Sequence, residues 1–194
     1  VQKNGHSYYN WICEVFSRLF YIKLYIENNK SLFENKKIVL LLYYNNSFIH
    51  ECIEMLNISN IEICPYDPTI EYMAKNVYMI TPGFCSNPSR ESIMLIRQSL
   101  FMGNILVPKI NVVLKNNNKI ISNFDIMMTF LRKKYSNYEW IIFDDKEPQW
   151  KNMKNTIQLF SMAKLIIGAH GEGLSNMIFS SDKVKIIELY PENL

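Results

Sequence analysis

The chain has 194 residues and a formal charge of +3 at neutral pH, from 21 Lys and Arg against 18 Asp and Glu. With 48% apolar and 20% charged residues, it can bury a stable core, which excludes a wholly disordered chain and a large multidomain protein. Only four of the cationic residues are arginines, the side chains that grip phosphates and base edges best. The composition therefore predicts no nucleic-acid partner.

The cysteine positions and the lengths of the apolar runs further limit which classes of protein the sequence fits. The four cysteines stand at positions 13, 52, 64 and 85. Their spacing fits neither a zinc site nor a redox pair, and we expect reduced, buried thiols. The longest apolar run, residues 38–44, is far shorter than the ~20 residues that a membrane helix needs, so we expect no membrane segment in this chain. The compartment stays open, because Val1 is not Met: the ER or Golgi lumen if a signal or anchor precedes it, otherwise the cytoplasm.

The first half of the sequence alternates between helical and strand patterns. The predicted elements are a long amphipathic helix over residues 8–27, a strand over 38–44, a helix over 48–56, and strands over 61–64 and 77–80. The second, third and fourth of these form a βαβ unit whose strands we expect to be covered on both faces. Ser89 is the predicted cap of a helix that runs to Phe101.

Gly103, Asn104 and Pro108 interrupt the pattern and predict a boundary between residues 1–103 and 104–194. The alternation then restarts. The predicted elements are strands over 111–114, 140–143, 165–167 and 186–189, and helices from Ser122 to about 135, over 156–163 and up to 180. Such alternation predicts an α/β fold of mostly parallel sheets with helices on both faces, divided between two lobes.

The segment from Gly168 to Asn176, Gly-Ala-His-Gly-Glu-Gly-Leu-Ser-Asn, joins a predicted strand to a predicted helix. Its glycines let backbone amides approach a ligand closely, and the helix N-terminus favours an anion, so the segment suits a phosphate. The G-x-x-G-x-G spacing is neither the dinucleotide fingerprint nor a P-loop. By itself the pattern leaves open a simple chain turn, with His170 as a structural histidine.

The acidic cluster Asp144-Asp145-Lys146-Glu147 follows a predicted strand. Carboxylates there could hold a hard cation, but we expect a solvated turn. The sequence contains neither a nucleophile elbow nor a zinc-binding histidine pair, so it gives no support to the hypothesis of a hydrolase or a metalloprotease.

The glycine-rich segment, together with residues 184–191, resembles the C-terminal signature of the family 61 glycosyltransferases, in which Ala usually stands at the place of Glu172. Residues 158–163 are similar to the segment that leads into that signature. Residues 8–19 resemble the N-terminal motif of the family. The motif usually has His at the place of Asn10 and Pro at that of Ser17.

The resemblance implies two facing Rossmann-like lobes of the GT-B kind, with the acceptor bound by residues 1–103 and the nucleotide sugar by residues 104–194. It implies transfer of N-acetylglucosamine or xylose, with inversion, from a UDP-sugar to a hydroxyl of a glycan or glycoprotein. The reaction would need no metal and no cofactor beyond the donor substrate. The donor-binding residues that it implies are Lys115, Lys119, Gln158, Gly168, His170, Gly171, Gly173, Asn176 and Glu188.

Lys115 and Lys119 stand where family members carry arginines, and lysine keeps the charge but loses the bidentate fork. Glu14 matches the carboxylate of the N-terminal motif and is the predicted catalytic base. Its alternative role is to pair with Arg18 one helical turn away.

Two other classes of protein stay open. One is an inactive module that binds a glycan or a partner, which the missing arginines favour, and the other is a different nucleotide-binding α/β enzyme such as a methyltransferase.

Overall fold

The computed structural model describes residues 7–43, 46–80, 88–100, 107–115 and 121–190. The chain divides into two compact units, Val1–Leu100 and Phe101–Leu194. Each unit combines parallel strands with helices, which confirms the predicted α/β class with parallel sheets. The predicted boundary after residue 103 lies outside the described residues.

The first unit opens with a long helix, as predicted. It runs from α1 (Tyr8–Asn10) through the π-helical turn Trp11–Phe16 into α2 (Ser17–Asn28), and the short α3 (Lys30–Phe33) follows. A π-helical turn shifts the backbone hydrogen bonds by one residue. Here the Ser17 hydroxyl donates to the carbonyl oxygens of Cys13, at 3.1 Å, and Glu14, at 3.0 Å. The serine at this position therefore stabilises the end of the π turn.

The βαβ unit consists of β1 (Ile38–Leu42), α4 (Ser47–Met55) and β2 (Ile61–Pro65), with the two strands parallel. Its existence is confirmed. The expectation that both faces are covered is wrong for the face that carries Val39 and Glu62, which pair across the strands and are both exposed.

The strand predicted over residues 77–80 is also wrong. No strand in the described part of the chain pairs with this segment, and the side chains of Val77 and Met79 are 80% and 87% exposed. Tyr78 of this segment packs against Tyr25 and Phe33, with ring centroids 5.7 Å and 5.3 Å apart. An apolar segment becomes a β-strand only where a neighbouring strand can accept and donate its backbone hydrogen bonds.

α5 (Arg90–Leu100) ends the first unit and packs against α2. The Ser89 hydroxyl accepts from the Ser92 amide at 3.1 Å, which confirms the predicted cap. The predicted end of this helix at Phe101 lies outside the described residues.

The second unit is built on one fully parallel sheet. Its elements are β3 (Ile110–Lys115), α6 (Phe124–Lys134), β4 (Glu139–Asp144), α7 (Met153–Ser161), β5 (Ala163–Ala169) and β6 (Lys185–Leu189). The strand order is β4-β3-β5-β6. The chain therefore leaves β3 to one side for β4 and crosses back to the other side for β5. In such sheets the crevice at the carboxyl ends of the two strands that flank this reversal, here β3 and β5, is where ligands bind.

Helices pack on both faces of this sheet, as predicted, although Ile186 and Ile187 of the edge strand β6 stay exposed. On one face Met128 of α6 packs against Val113 and Ile167. On the other face Phe160 of α7 packs on Phe143 of β4, with 5.1 Å between ring centroids. The alternation of side chains along each strand supplies both cores.

Two boundaries of the second unit differ from the prediction. α6 begins at Phe124, and its cap position is held by Asn123 without a side-chain hydrogen bond, so the prediction of Ser122 as cap is wrong. α7 begins earlier than predicted, because the Asn152 side chain accepts from the Asn155 amide at 3.2 Å. The predicted short helix up to residue 180 is a 3₁₀ helix, Glu172–Phe179.

Three of the four cysteines lie in described positions, all as free thiols: Cys13 and Cys52 are buried and Cys64 is half-buried. Burial raises the pKa of the Cys13 and Cys52 thiols to about 12 in each case. These three agree with the expected reduced thiols, and Cys85 lies outside the described residues. In the described part of the chain, no helix is long and apolar enough to cross a membrane.

Candidate functional site

The glycine-rich segment lies where the fold predicts a ligand. It follows β5 directly and leads into the 3₁₀ helix Glu172–Phe179, so it forms one side of the crevice between β3 and β5. The His170 amide donates to the Leu189 carbonyl at 2.9 Å, which ties the loop to the end of β6. Gly171 adopts φ 157° and ψ −179°, a combination found almost only at glycine.

Two glycines of the segment are required by packing against Leu114 of β3. A Cβ atom at Gly168 would lie 2.9 Å from Leu114 Cδ1 and 3.3 Å from Leu174 Cδ2, and one at Gly173 would lie 2.9 Å from Leu114 Cδ2. Leu114 is itself buried. These glycines thus let the 3₁₀ helix pack closely on the sheet, and their contact with a donor stays a prediction.

His170 and Glu188, which are 18 positions apart in the sequence, form a hydrogen-bonded pair. His170 Nδ1 lies 2.7 Å from Glu188 Oε1, and the histidine side chain is 46% exposed. The strand register explains the meeting, because Glu188 of β6 pairs with Gly168 of β5. Tyr190 completes the group: its hydroxyl donates to Glu188 Oε2 at 3.0 Å. Tyr190 was not singled out from the sequence, although it directly follows β6 and stands two residues after Glu188, the spacing at which extended chain returns to one face.

Asn176 and Gln158 occupy different surroundings. The Asn176 side chain is buried and its Nδ2 donates to the Gly173 carbonyl at 3.0 Å, so it stabilises the 3₁₀ helix from within. Gln158 lies on α7 with an exposed side chain. Asn176 is therefore joined to the glycine-rich segment by a hydrogen bond. That Asn176 and Gln158 contact a nucleotide sugar stays a prediction.

Lys115 ends β3 on the other side of the crevice. Its Nζ lies 3.5 Å from Oδ2 of Asp144, its register partner at the end of β4. Asp144 Oδ1 accepts from the Lys146 amide at 3.0 Å, which makes the acidic cluster a turn. Strand alternation places Lys115 on the sheet face that α6 covers, opposite to the face of Glu188. Lys119, the second predicted lysine, lies outside the described residues.

We expect Lys115→Arg to tighten diphosphate binding by about 1 kcal/mol, because a guanidinium can form two directed bonds where an ammonium makes a point contact. Lys115→Ala should weaken binding, and more so at low salt, where screening is weaker. Calorimetry with UDP measures both changes. Lys164→Ala is the matched control, since this exposed lysine lies near the opposite end of β5. Equal dissociation constants for wild type and both Lys115 variants would remove Lys115 from the donor site.

Glu14 lies in the first unit, in the π-helical turn Trp11–Phe16, and its side chain is 4% exposed. Its charge also raises the pKa of the neighbouring Cys13 thiol, second to burial. π-helical turns within α-helices are frequent at functional sites, which is compatible with a catalytic carboxylate. Its assignment as the base stays a prediction. Among the residues that the structure describes, no group of three or more His, Cys, Asp or Glu side chains could hold a metal ion.

The parallel sheet, its reversal of strand order and the polar groups at its carboxyl edge are typical of nucleotide-binding α/β proteins. The family model for Glycosyltransferase 61 matches residues 8–187, which cover most of the chain and include the N-terminal motif and the glycine-rich segment. The chain therefore belongs to glycosyltransferase family 61. No curated protein sequence gives a significant match to it.

Proposed function

We propose that the chain transfers N-acetylglucosamine or xylose from a UDP-sugar to a hydroxyl of a glycan or glycoprotein, with inversion and without a metal. Membership of family 61 supports sugar transfer. The observation that carries the donor site is the placement of the His170 loop beside the crevice between β3 and β5. The facing GT-B lobes, with the acceptor on residues 1–103 and the donor on residues 104–194, belong to the same proposal.

In the proposed mechanism the leaving UDP gains negative charge as the bond to the sugar breaks. Hydrogen-bond donors held in place at this point stabilise the transition state. His170 is one such group. The first amides of the 3₁₀ helix Glu172–Phe179, which has no side-chain cap, are others. Glu14 takes the proton of the acceptor hydroxyl as that oxygen attacks the sugar.

A panel of nucleotides tests the donor class. UDP, UDP-N-acetylglucosamine and UDP-xylose should raise the melting temperature, because a ligand at 100 times its dissociation constant adds about 2.7 kcal/mol of stability. S-adenosylmethionine is the matched negative control. A shift with S-adenosylmethionine and none with the UDP compounds would favour a methyltransferase and contradict the proposal.

The second candidate is an inactive module that binds a glycan or a partner. The pairing of Lys115 with Asp144 favours it, because the Lys115 ammonium already has a carboxylate partner within the chain. Turnover separates the two functions. UDP release from a UDP-sugar in the presence of a glycan acceptor supports the enzyme, and donor binding without any release over a range of acceptors supports the module.

We expect turnover to survive chelation of divalent ions. The leaving group would be stabilised by backbone amides and basic side chains, and the carboxylate of Asp144 is paired with Lys115. Initial rates with and without EDTA measure the effect, with added manganese as the control. Complete loss of activity in EDTA, restored by manganese, would contradict a metal-independent reaction.

A further inference from the structure

Tyr190 contacts both members of the His170 and Glu188 pair. Its hydroxyl donates to Glu188 Oε2 at 3.0 Å. Its ring stacks on the imidazole of His170, with 5.0 Å between centroids and 21° between planes. The hydrogen bond to Glu188 raises the pKa of the Tyr190 phenol above its ordinary value. The three side chains therefore form a closed group in which each one contacts the other two.

This arrangement fixes the position of one proton. An ionised carboxylate only accepts hydrogen bonds, so the 2.7 Å contact with Glu188 Oε1 requires the proton of the pair to be on His170 Nδ1. Nε2 then lies on the ring edge remote from the carboxylate. Tyr190 donates a hydrogen bond to the second carboxylate oxygen of Glu188 and stacks on one face of the imidazole. It therefore restrains both partners of the hydrogen bond between His170 and Glu188.

We propose that Tyr190 is a positioning residue that, together with Glu188, holds His170 in the Nδ1–H tautomer and turns Nε2 towards a bound nucleotide diphosphate. The inference rests on the proposed function, since it needs an anion at this loop. In the Nδ1–H tautomer, Nε2 carries a lone pair, so the ring donates to a phosphate oxygen only after Nε2 takes up a proton from solvent as the diphosphate binds. The resulting imidazolium donates through both ring nitrogens, and the Glu188 carboxylate offsets its charge. An outer partner that fixes the tautomer of a functional histidine commonly tunes its binding.

Two variants separate the contributions of Tyr190. Tyr190→Phe removes the hydrogen bond to Glu188 and keeps the ring, whereas Tyr190→Leu removes both. Tyr138→Phe is the matched control, because Tyr138 is an exposed tyrosine of the same unit whose ring contacts Lys164. The readouts are the ¹⁵N spectrum of the histidine side chains and the calorimetric affinity for UDP. The chain has three histidines, so the spectrum of His170→Gln identifies the signals of His170.

We expect the wild-type spectrum to show His170 protonated on Nδ1 alone without ligand and on both ring nitrogens with UDP bound. The signals should move towards a tautomer mixture in Tyr190→Phe and further in Tyr190→Leu, and they should not move in Tyr138→Phe. UDP affinity should fall on the order of fivefold in Tyr190→Phe, the effect of one lost hydrogen bond, and more in Tyr190→Leu.

Unchanged His170 signals in both Tyr190 variants would overturn the inference, even with UDP bound. Altered signals with an unchanged UDP affinity would also overturn it, because the tautomer would then not serve the diphosphate. Failure of the wild-type protein to bind UDP would contradict the proposed function instead, and the spectra would still decide whether Tyr190 sets the tautomer. Unshifted amide signals elsewhere in the sheet show that both variants are folded.

Discussion

His170→Ala is expected to weaken UDP binding by about 10- to 100-fold. The imidazole is an exposed polar group of the loop after β5, and Glu188 lies 2.7 Å from it. A hydrogen bond to a charged group contributes about 1.5–3 kcal/mol, and each 1.4 kcal/mol is a factor of about ten in affinity. Calorimetry with UDP measures the loss directly.

His50→Ala is the matched control for this prediction, because His50 lies on α4 of the first unit. It should bind UDP as the wild type does. An affinity for UDP that is the same in wild type and His170→Ala would remove His170 from the donor site and leave it as a structural histidine.

Gly168→Ala is expected to destabilise the fold by about 1–3 kcal/mol, the range for overpacking a filled core. The added methyl would lie 2.9 Å from Leu114 Cδ1 and 3.2 Å from Leu114 Cβ. Leu114 is buried, so its side chain has little room to move away. Urea unfolding measures the change in the free energy of unfolding.

The Leu114→Ala background supplies the control for the glycine. It removes Cδ1, the atom nearest to the new methyl, so the cost of Gly168→Ala should be smaller there than in the wild-type background. An equal cost in both backgrounds would show that the contact with Leu114 is not the reason for glycine at this position.

The sequence predicted the element types better than their pairing. Short apolar runs located all four strands that the structure describes in the second unit, because strands of parallel sheets tend to be apolar on both faces. The strand order β4-β3-β5-β6 depends on contacts between distant segments, which local patterns do not encode. The strand predicted over 77–80 failed for the same reason, since none of the strands that the structure describes pairs with it.

The candidate site was also predicted in part. The glycine-rich segment was found by its composition and by the family resemblance, and the structure places it beside the crevice. The pairing of His170 with Glu188 could not be predicted, because it depends on the register of β5 with β6. Gly168 was predicted from its freedom to approach a ligand, whereas the structure shows that Leu114 fills the space beside it.

The central claim is that a nucleotide sugar binds at the loop after β5. Titration of ¹⁵N-labelled protein with UDP-N-acetylglucosamine, followed by amide chemical shifts, tests this claim most directly. We expect saturable shifts at residues 168–176 and at Glu188, which lie together at the carboxyl edge of the sheet. Saturable binding that shifts only amides of residues 7–100, or no binding at all, would contradict the account.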